Sequence, residues 1–317
     1  MAAGRPVAGE SFRSLVQAVA ARLEAAGVAS PLADAIALAG HVTGLATSEV
    51  RVRMARGDAV PDGPVPDGLA PEGLDRVALE AAVARRAARE PLQHILGLAA
   101  FRTILLEVGP GVFVPRPETE VVAGRAISAA LALAGSGRAP SCADLCSGSG
   151  AIGISIAAEV PTARVAVVEL DSAAFAYLVR NVAAQEPDVR GRLDATRADA
   201  RTALGAHDGT LDVVVSNPPY IPPGATPREA EVADHDPAVA LFGLGADGLE
   251  VPRGIVAAAA RLLRPGGTFV LEHGDEQGAA VRAMLEAATP GGTPVWAGVV
   301  TGTDHTGRDR FVVATRA

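Results

Sequence analysis

The chain has 317 residues, 49% of them apolar, with a mean hydropathy of +0.27, which suits one large domain or a domain with a smaller companion, well supplied with core residues. A formal charge of −8 and a pI near 5.3 argue against broad, nonspecific nucleic-acid binding. Arginine supplies all the basic charge, and without any lysine a phosphate-binding G-x-x-x-x-G-K-[ST] loop is ruled out. The two cysteines, Cys142 and Cys146, are too few for a disulfide framework and lack the partners of a zinc site, so they are read as reduced thiols of a cytosolic protein.

"MAAGRPVAGESFRSL" has no apolar core segment of a signal peptide. No run of about eighteen apolar residues escapes a charge or a breaker, so no membrane span is expected. From Ser11 to Gly27, Phe12, Leu15, Val16, Val19 and Leu23 recur at helical spacing. Ser30-Pro31 before "LADAIALAGHVTG" reads as an N-cap, a proline in the first turn and a second helix. "TSEVRVRMARG" suits a third helix, and Val60 to Gly73, dense in Pro, Gly and Asp, suits a loop. "LDRVALEAAVARRAARE" is an amphipathic helix broken at Pro91.

Periodicity then changes. "LAAFRTILLEVGPGVFVPRPETE" reads as a hairpin linking two domains. Strands and helices alternate afterwards: "SCADLC", "ARVAVVEL", "RLDATRAD", "LDVVVSN" and "TFVLEHG" as strands. "GAIGISIAAEV", "SAAFAYLVRNVAAQ", "GLEVPRGIVAAAARLL" and "EQGAAVRAMLEAA" are the helices, the third ending at Arg264-Pro265-Gly266-Gly267. "PVWAGVVTG" and "RDRFVVATRA" form a terminal pair. This pattern predicts an α/β, doubly wound sheet covered on both faces. The domains are expected at 1–95 (helical), 96–118 (hairpin linker) and 119–317 (α/β).

Three motifs carry chemistry. In "ADLCSGSGAIGIS" a strand ends, a Gly/Ser loop follows and a helix opens, so the backbone at Gly148 and Gly150 can approach a ligand. Glu169 ends the next strand about twenty positions on, where a carboxylate can hold ribose hydroxyls. A tight turn in any doubly wound fold reads the same way, and the spacing differs from a dinucleotide fingerprint. Asp199 follows the next strand, placed either for an adenine or to cap a helix. In "LDVVVSNPPYIPPG" a buried strand stops at Asn217-Pro218-Pro219-Tyr220, because two prolines remove two donors and fix two φ angles. The Asn217 side-chain oxygen and the Pro218 carbonyl are acceptors for the two N–H bonds of a planar –NH2. Tyr220 offers a face for stacking, and Pro218-Pro219 keeps the loop rigid before substrate arrives.

"DLCSGSGAIG" followed by "SNPPY" resembles class I S-adenosylmethionine-dependent methyltransferases acting on a planar nitrogen. With "PLQHILGLAAFRTILLEVGPGVFVPRPETE", "DHDPAVALFGLGADGLE", "LEHGDEQG" and "GRDRFVV", the chain resembles the release-factor glutamine methyltransferase family over nearly its whole length, least over the first ninety residues. The resemblance implies a Rossmann-like methyltransferase sheet, mostly parallel with an antiparallel C-terminal strand, and S-adenosylmethionine as methyl donor, with S-adenosylhomocysteine as product. It implies that the helical unit docks class 1 peptide chain release factors, whose Gly-Gly-Gln glutamine is the target. By position, Cys146, Ser147, Gly148, Ser149 and Gly150 line the donor's methionine end, Glu169 takes the ribose, and Asp199 with Ala200 lies at the adenine. Asn217, Pro218, Pro219 and Tyr220 hold the glutamine amide, with Asn217 also at the donor, and Phe101 packs on the glutamine stem. Arg116 and Thr119 of "VPRPETE" reach the donor's methionine end. Two positions depart from the family's habit: Cys146 stands where the loop usually begins with Gly, and Glu169 replaces a common Asp.

His94, His207, His235 and His273 lack ligand-like spacing, and no metal is expected. The expected enzyme is a cytoplasmic monomer with no direct contact to nucleic acid or membrane. Three alternatives remain: a methyltransferase for an exocyclic amine of nucleic acid, where Tyr220 would stack on a flipped adenine; a glutamine methyltransferase of another protein; and a donor-binding scaffold without activity, which would not need an acceptor pair.

Overall fold

The computed structural model describes residues 10–60, 74–287 and 293–317, so most of the Val60–Gly73 loop lies outside the described residues. The chain divides into two compact units. The first runs through Leu96 and takes back Glu229–His235. Its helices are α1 (Phe12–Ala25), α2 (Pro31–Thr43), α3 (Thr47–Arg56), α4 (Arg76–Ala87) and the short α5 (Leu92–Leu96). α1 starts at a reciprocal cap: Ser14 N donates to Ser11 Oγ at 3.1 Å and Ser11 N to Ser14 Oγ at 3.0 Å. Phe12, Leu15, Val16, Val19 and Leu23 all face the core, as their spacing requires. Ser30 stands at the α2 N-cap, but its side chain makes no capping bond, and Pro31 sets the first turn instead.

The second unit holds residues 97–228 and 236–317. It opens on a hairpin, β1 (Leu98–Phe101) and β2 (Ile104–Glu107), which packs into this unit's own core through Phe101 and Leu106. There follow α6 (Pro117–Gly135), β3 (Ser141–Leu145), α7 (Ala151–Glu159), β4 (Arg164–Glu169), α8 (Ser172–Ala183), α9 (Pro187–Arg190), β5 (Leu193–Arg197) and β6 (Leu211–Ser216). Next come α10 (Ala230–His235), which belongs to the first unit, α11 (Ala238–Leu241), α12 (Glu250–Leu262), β7 (Leu263–Glu272), α13 (Gly278–Glu286), β8 (Trp296–Thr303) and β9 (Asp309–Arg316). α6 is a helix the sequence reading did not single out, although Pro117 at its start and Glu118 and Glu120 in its first turn are N-terminal signals. α12 passes directly into β7, so the expected break at Arg264–Gly267 lies inside the span of the strand, opposite a register shift between Leu211 and Val213.

The seven strands run in the order β5-β4-β3-β6-β7-β9-β8. β5, β4, β3, β6 and β7 pair in parallel, and β9 pairs antiparallel with both β7 and β8. Side chains alternate between two cores. Cys142, Val165, Val167, Val213 and Val215 face α6, α7 and the hairpin, while Ala143, Val168, Val214, Phe269 and Leu271 face α12 and α13. From β3 the chain builds outward to β4 and β5, then returns to place β6 on the other side of β3. That reversal opens a crevice at the carboxyl ends of β3 and β6, the place where open α/β sheets bind ligands. No helix among the described residues is long and apolar enough to cross a membrane.

Candidate active site

Leu145 pairs with Ser216 in the register of β3 and β6, so the Gly-rich loop and the Asn-Pro-Pro-Tyr loop leave the sheet side by side. The Ser216 hydroxyl donates to the Leu145 carbonyl at 2.6 Å and ties the two strand ends together. Val168 pairs with Leu145 on the other side, which brings Glu169 to the same edge.

The loop 146–150 is held from within. Ser147 Oγ donates to the Asp144 carbonyl at 2.8 Å and accepts from Val168 N at 3.0 Å. The Ser149 carbonyl accepts from Asn181 Nδ2 at 2.9 Å. Gly150, the N-cap of α7, sits at φ +90°, and a Cβ there would lie 2.6 Å from Leu178 Cδ1 and 2.8 Å from Ile154 Cδ1. Only glycine fits. Cys146 adopts φ +63°, a region in which a side chain costs about 1–2 kcal/mol. A glycine would carry no such cost here. Burial drives the Cys146 thiol well above its ordinary range, and the Glu169 charge adds to the rise, so it is a neutral wall of the loop.

Glu169 Oε2 accepts from Gly148 N at 2.8 Å, and Oε1 accepts from Asp171 N at 2.8 Å. Burial raises its pKa, and the backbone N–H groups of Asp171, Gly148 and Leu170 oppose the rise. The carboxylate keeps lone-pair capacity for a ribose hydroxyl. Leu170, next in sequence, is 52% exposed and offers an apolar face that the sequence reading missed. Beside Gly148, a Cβ would meet nothing within 4 Å, so there is open space along the loop. Open backbone, a tethered carboxylate and an exposed apolar face fit an adenosine with an amino-acid tail.

Asp199 pairs with Arg201 at 2.7 Å and accepts from Arg201 N at 3.0 Å, and the Arg201 side chain lowers the carboxyl pKa. It closes a turn after β5 rather than capping an α-helix. Ala200 is buried beside it. Phe101 is placed differently from the expectation. Its ring is 1% exposed in the core under the hairpin, with no face left for a substrate stem in this structure.

In the loop 217–220, Asn217 Nδ2 donates to Thr119 Oγ1 at 3.4 Å, which leaves Oδ1 as the free end of the amide. The Tyr220 hydroxyl lies 3.5 Å from Glu272 Oε1. The Tyr220 carbonyl accepts from Gln277 Nε2 at 2.9 Å, and Gly274 N donates to Gln277 Oε1 at 3.0 Å. Ile221 N donates to the Leu241 carbonyl at 2.8 Å, and Gly243 N to the Ile221 carbonyl at 3.0 Å. A Cβ on Gly243 would fall 2.6 Å from the Pro219 carbonyl, so "FGLGADG" clamps the Asn-Pro-Pro-Tyr backbone by close approach. Arg116 donates to Asp236 at 2.6 Å and stacks on Phe113, with 5.0 Å between the guanidinium carbon and the ring centre, so its charge is already engaged. Glu272, Gln277 and Gly243 were not singled out from the sequence, although each lies in a segment quoted for the resemblance. The readable signal was an acid closing an otherwise apolar strand, "TFVLE".

A model of the methyltransferase small domain matches residues 125–232. The release factor glutamine methyltransferase of Streptomyces coelicolor is 44% identical over 297 residues, covering 93% of this chain and 95% of that protein. The one from Mycolicibacterium smegmatis is 45% identical, covering 96% of this chain and 98% of its own. A 4-amino-L-phenylalanine/4-methylamino-L-phenylalanine methyltransferase of Streptomyces pristinaespiralis is 43% identical, covering 65% of this chain and 68% of its own. The two release factor glutamine methyltransferases are each more than 40% identical over more than nine-tenths of both chains. On that ground, the chain belongs to the release factor glutamine methyltransferase family.

Proposed function

We propose that this chain methylates the side-chain amide nitrogen of the glutamine in the Gly-Gly-Gln motif of class 1 peptide chain release factors. The observation that carries the reading is the end of β6, where Asn217 turns its Nδ2 to Thr119; its Oδ1 and the Pro218 carbonyl would then make a neutral acceptor pair, with Tyr220 following in the same loop. A neutral pair suits a neutral planar –NH2. A carboxylate in its place would cost more to bury.

When bound, S-adenosylmethionine supplies a methyl group on a positively charged sulfur. Cys146 to Gly150 would hold its methionine end, Glu169 its ribose hydroxyls, and Asp199 with Ala200 the adenine side. An amide nitrogen is a poor nucleophile because its lone pair is delocalised into the carbonyl. The chain's task is therefore placement, and good alignment is worth about 7–11 kcal/mol. Asn217 Oδ1 and the Pro218 carbonyl fix both N–H bonds, which sets the direction of the lone pair. As positive charge develops on the nitrogen, the same two oxygens stabilise it without reorganising. Pro218 and Pro219 hold them in place beforehand.

Glu169→Ala is expected to weaken donor binding by about 1.5–3 kcal/mol, because charged acceptors of hydrogen bonds contribute on that scale. Isothermal calorimetry measures this, and unchanged affinity would remove Glu169 from the donor site.

We further read the helical unit as the docking surface for the release factor and the enzyme as a cytoplasmic monomer. A net charge of −8, with the arginines scattered through the helices rather than gathered on one face, argues against a grip on the phosphates around a flipped base. The test is labelled-methyl transfer to intact release factor, its Gln→Ala variant, the isolated loop peptide, DNA and RNA in parallel. Label is expected in intact release factor alone, with the peptide poor because it must be ordered on binding. Label in nucleic acid, or in the Gln→Ala variant, would contradict the assignment.

A further inference from the structure

Gln277 stands at the N-cap of α13, yet its side chain makes no capping bond to that helix. The amide instead joins three stretches of backbone. Oε1 accepts from Gly274 N at 3.0 Å, while Nε2 donates to the Tyr220 carbonyl at 2.9 Å and to the Asp247 carbonyl at 3.2 Å. A main-chain N–H only donates and a carbonyl only accepts, so the three partners fix which end of the amide is which. Both Nε2 hydrogens are taken. The turn that carries the amide is itself closed: Gln277 N donates to the Gly274 carbonyl at 2.9 Å, and His273 Nδ1 donates to the same carbonyl at 2.7 Å.

The Tyr220 carbonyl and the Ile221 N–H are the two edges of one peptide plane. Gln277 holds the first edge, and the Leu241 carbonyl holds the second at 2.8 Å. A plane held on one edge can tilt about that bond. Held on both, it fixes ψ of Tyr220 and the direction in which the side chain leaves the backbone. Gly248, at φ +73°, lies against the same carbonyl, since a Cβ there would collide with its oxygen. The ring is seated by the same turn: a Cβ on Gly274 would lie 3.7 Å from Tyr220 Cδ2. At the far end of the ring, the hydroxyl lies 3.5 Å from Glu272 Oε1, long for a bond of its type. The carbonyl bond to Gln277 is the shorter of the two.

We propose that Gln277 is a positioning residue for methyl transfer: by holding the Tyr220 carbonyl it sets the peptide plane after Tyr220, and with it the place of the ring that stacks on the substrate amide. The proposal rests on the reading of Tyr220 given above. Gln277 touches neither substrate nor donor in this account and acts only through Tyr220. Its bond to the Asp247 carbonyl brings the segment before α12 to the same point, so one neutral side chain ties together the loop after β6, the turn after β7 and the approach to α12.

The experiment uses the full chain, S-adenosylmethionine and intact release factor, comparing wild type with Gln277→Glu, Gln277→Met, Tyr220→Ala and the double variant of Gln277→Glu with Tyr220→Ala. Gln277→Glu keeps an acceptor for Gly274 N and removes both donors, so the turn keeps its own bond and only the hold on Tyr220 and Asp247 is lost. Gln277→Met, of similar length, removes all three bonds without adding charge. Each should lower kcat by on the order of tenfold to a hundredfold, the scale of a misplaced reacting group. KM for release factor and donor affinity by calorimetry should stay at their wild-type values. In the Tyr220→Ala background, Gln277→Glu should cost less than about twofold further, because its effect runs through the ring. Wild-type kcat in Gln277→Glu, a loss carried by KM or by donor affinity, or losses that multiply in the double variant would overturn the proposal. Transfer by the wild type to the glutamine is scored in the same assay, so its absence would overturn the function itself, whereas normal wild-type transfer with an unaffected Gln277→Glu overturns only the role of Gln277.

Discussion

Asn217→Ala is expected to leave donor binding nearly intact and to lower turnover by about a hundredfold to a thousandfold, or about 2.7–4 kcal/mol, the range for removing one preorganised polar contact from a reacting group. The substitution deletes the acceptor that orients one N–H of the target and leaves the Pro218 carbonyl to hold the other. Asn217 has one recorded side-chain bond, to Thr119, and none to the Gly-rich loop or Glu169. The Gly-rich loop therefore keeps its own ties through Ser147, Ser149 and Gly150. Calorimetry for donor affinity and single-turnover kinetics for methyl transfer separate the two effects. Equal losses in both would make Asn217 a donor-site residue.

Arg86→Ala is expected to destabilise the helical unit by about 3–5 kcal/mol, the cost of breaking a buried ion pair from one side. Arg86 is 6% exposed on α4 and binds Asp34 of α2 at 2.7 Å and Glu231 of α10 at 2.9 Å. Removing it leaves two carboxylates in a largely dry site, although Arg89 still reaches Glu231 at 2.6 Å. Replacing all three by apolar residues of similar volume should recover much of the loss, since the ions contribute little beyond their mutual compensation. Urea unfolding followed by circular dichroism measures both variants. The same cluster sets an acid sensitivity. Burial opposes charge on Glu231, but hydrogen bonds from Arg89 and Arg86 prevail and hold its pKa down to about 2. Because the folded pKa is the lower one, Glu231 contributes its full stability above the ordinary carboxylate range. That contribution is lost as pH falls toward about 2.

The features that could be read in advance are local ones. A buried run that meets two prolines must stop, so the end of β6 and its Asn217–Tyr220 loop were visible in a few consecutive residues. The Gly-rich turn before α7 and the terminal strand pair, β8 and β9, were likewise visible in short consecutive stretches. Long-range partners were not. Nothing near Glu272 in the chain points to Tyr220, and nothing near Asp236 points to Arg116. α6 is rich in small apolar residues with weak contrast between faces, although its buried positions Val122, Ala123, Ala126, Ile127 and Ala130 follow helical spacing. The return of Glu229–His235 to the helical unit depends on a cluster assembled from α2, α4 and α10. Phe101 was placed on the glutamine stem by the resemblance alone, whereas β1 alternates and its inward positions, Ala99 and Phe101, belong to the core.

The central claim is that a glutamine amide nitrogen receives the methyl group, and the most direct measurement is fragmentation mass spectrometry of the Gly-Gly-Gln peptide recovered from intact release factor after incubation with this chain and S-adenosylmethionine. One added methyl on the glutamine side-chain nitrogen is expected with the wild type and only a trace at equal time with Asn217→Ala. An unmodified glutamine after prolonged incubation with the wild type, or a methyl group carried by a different residue, would contradict it.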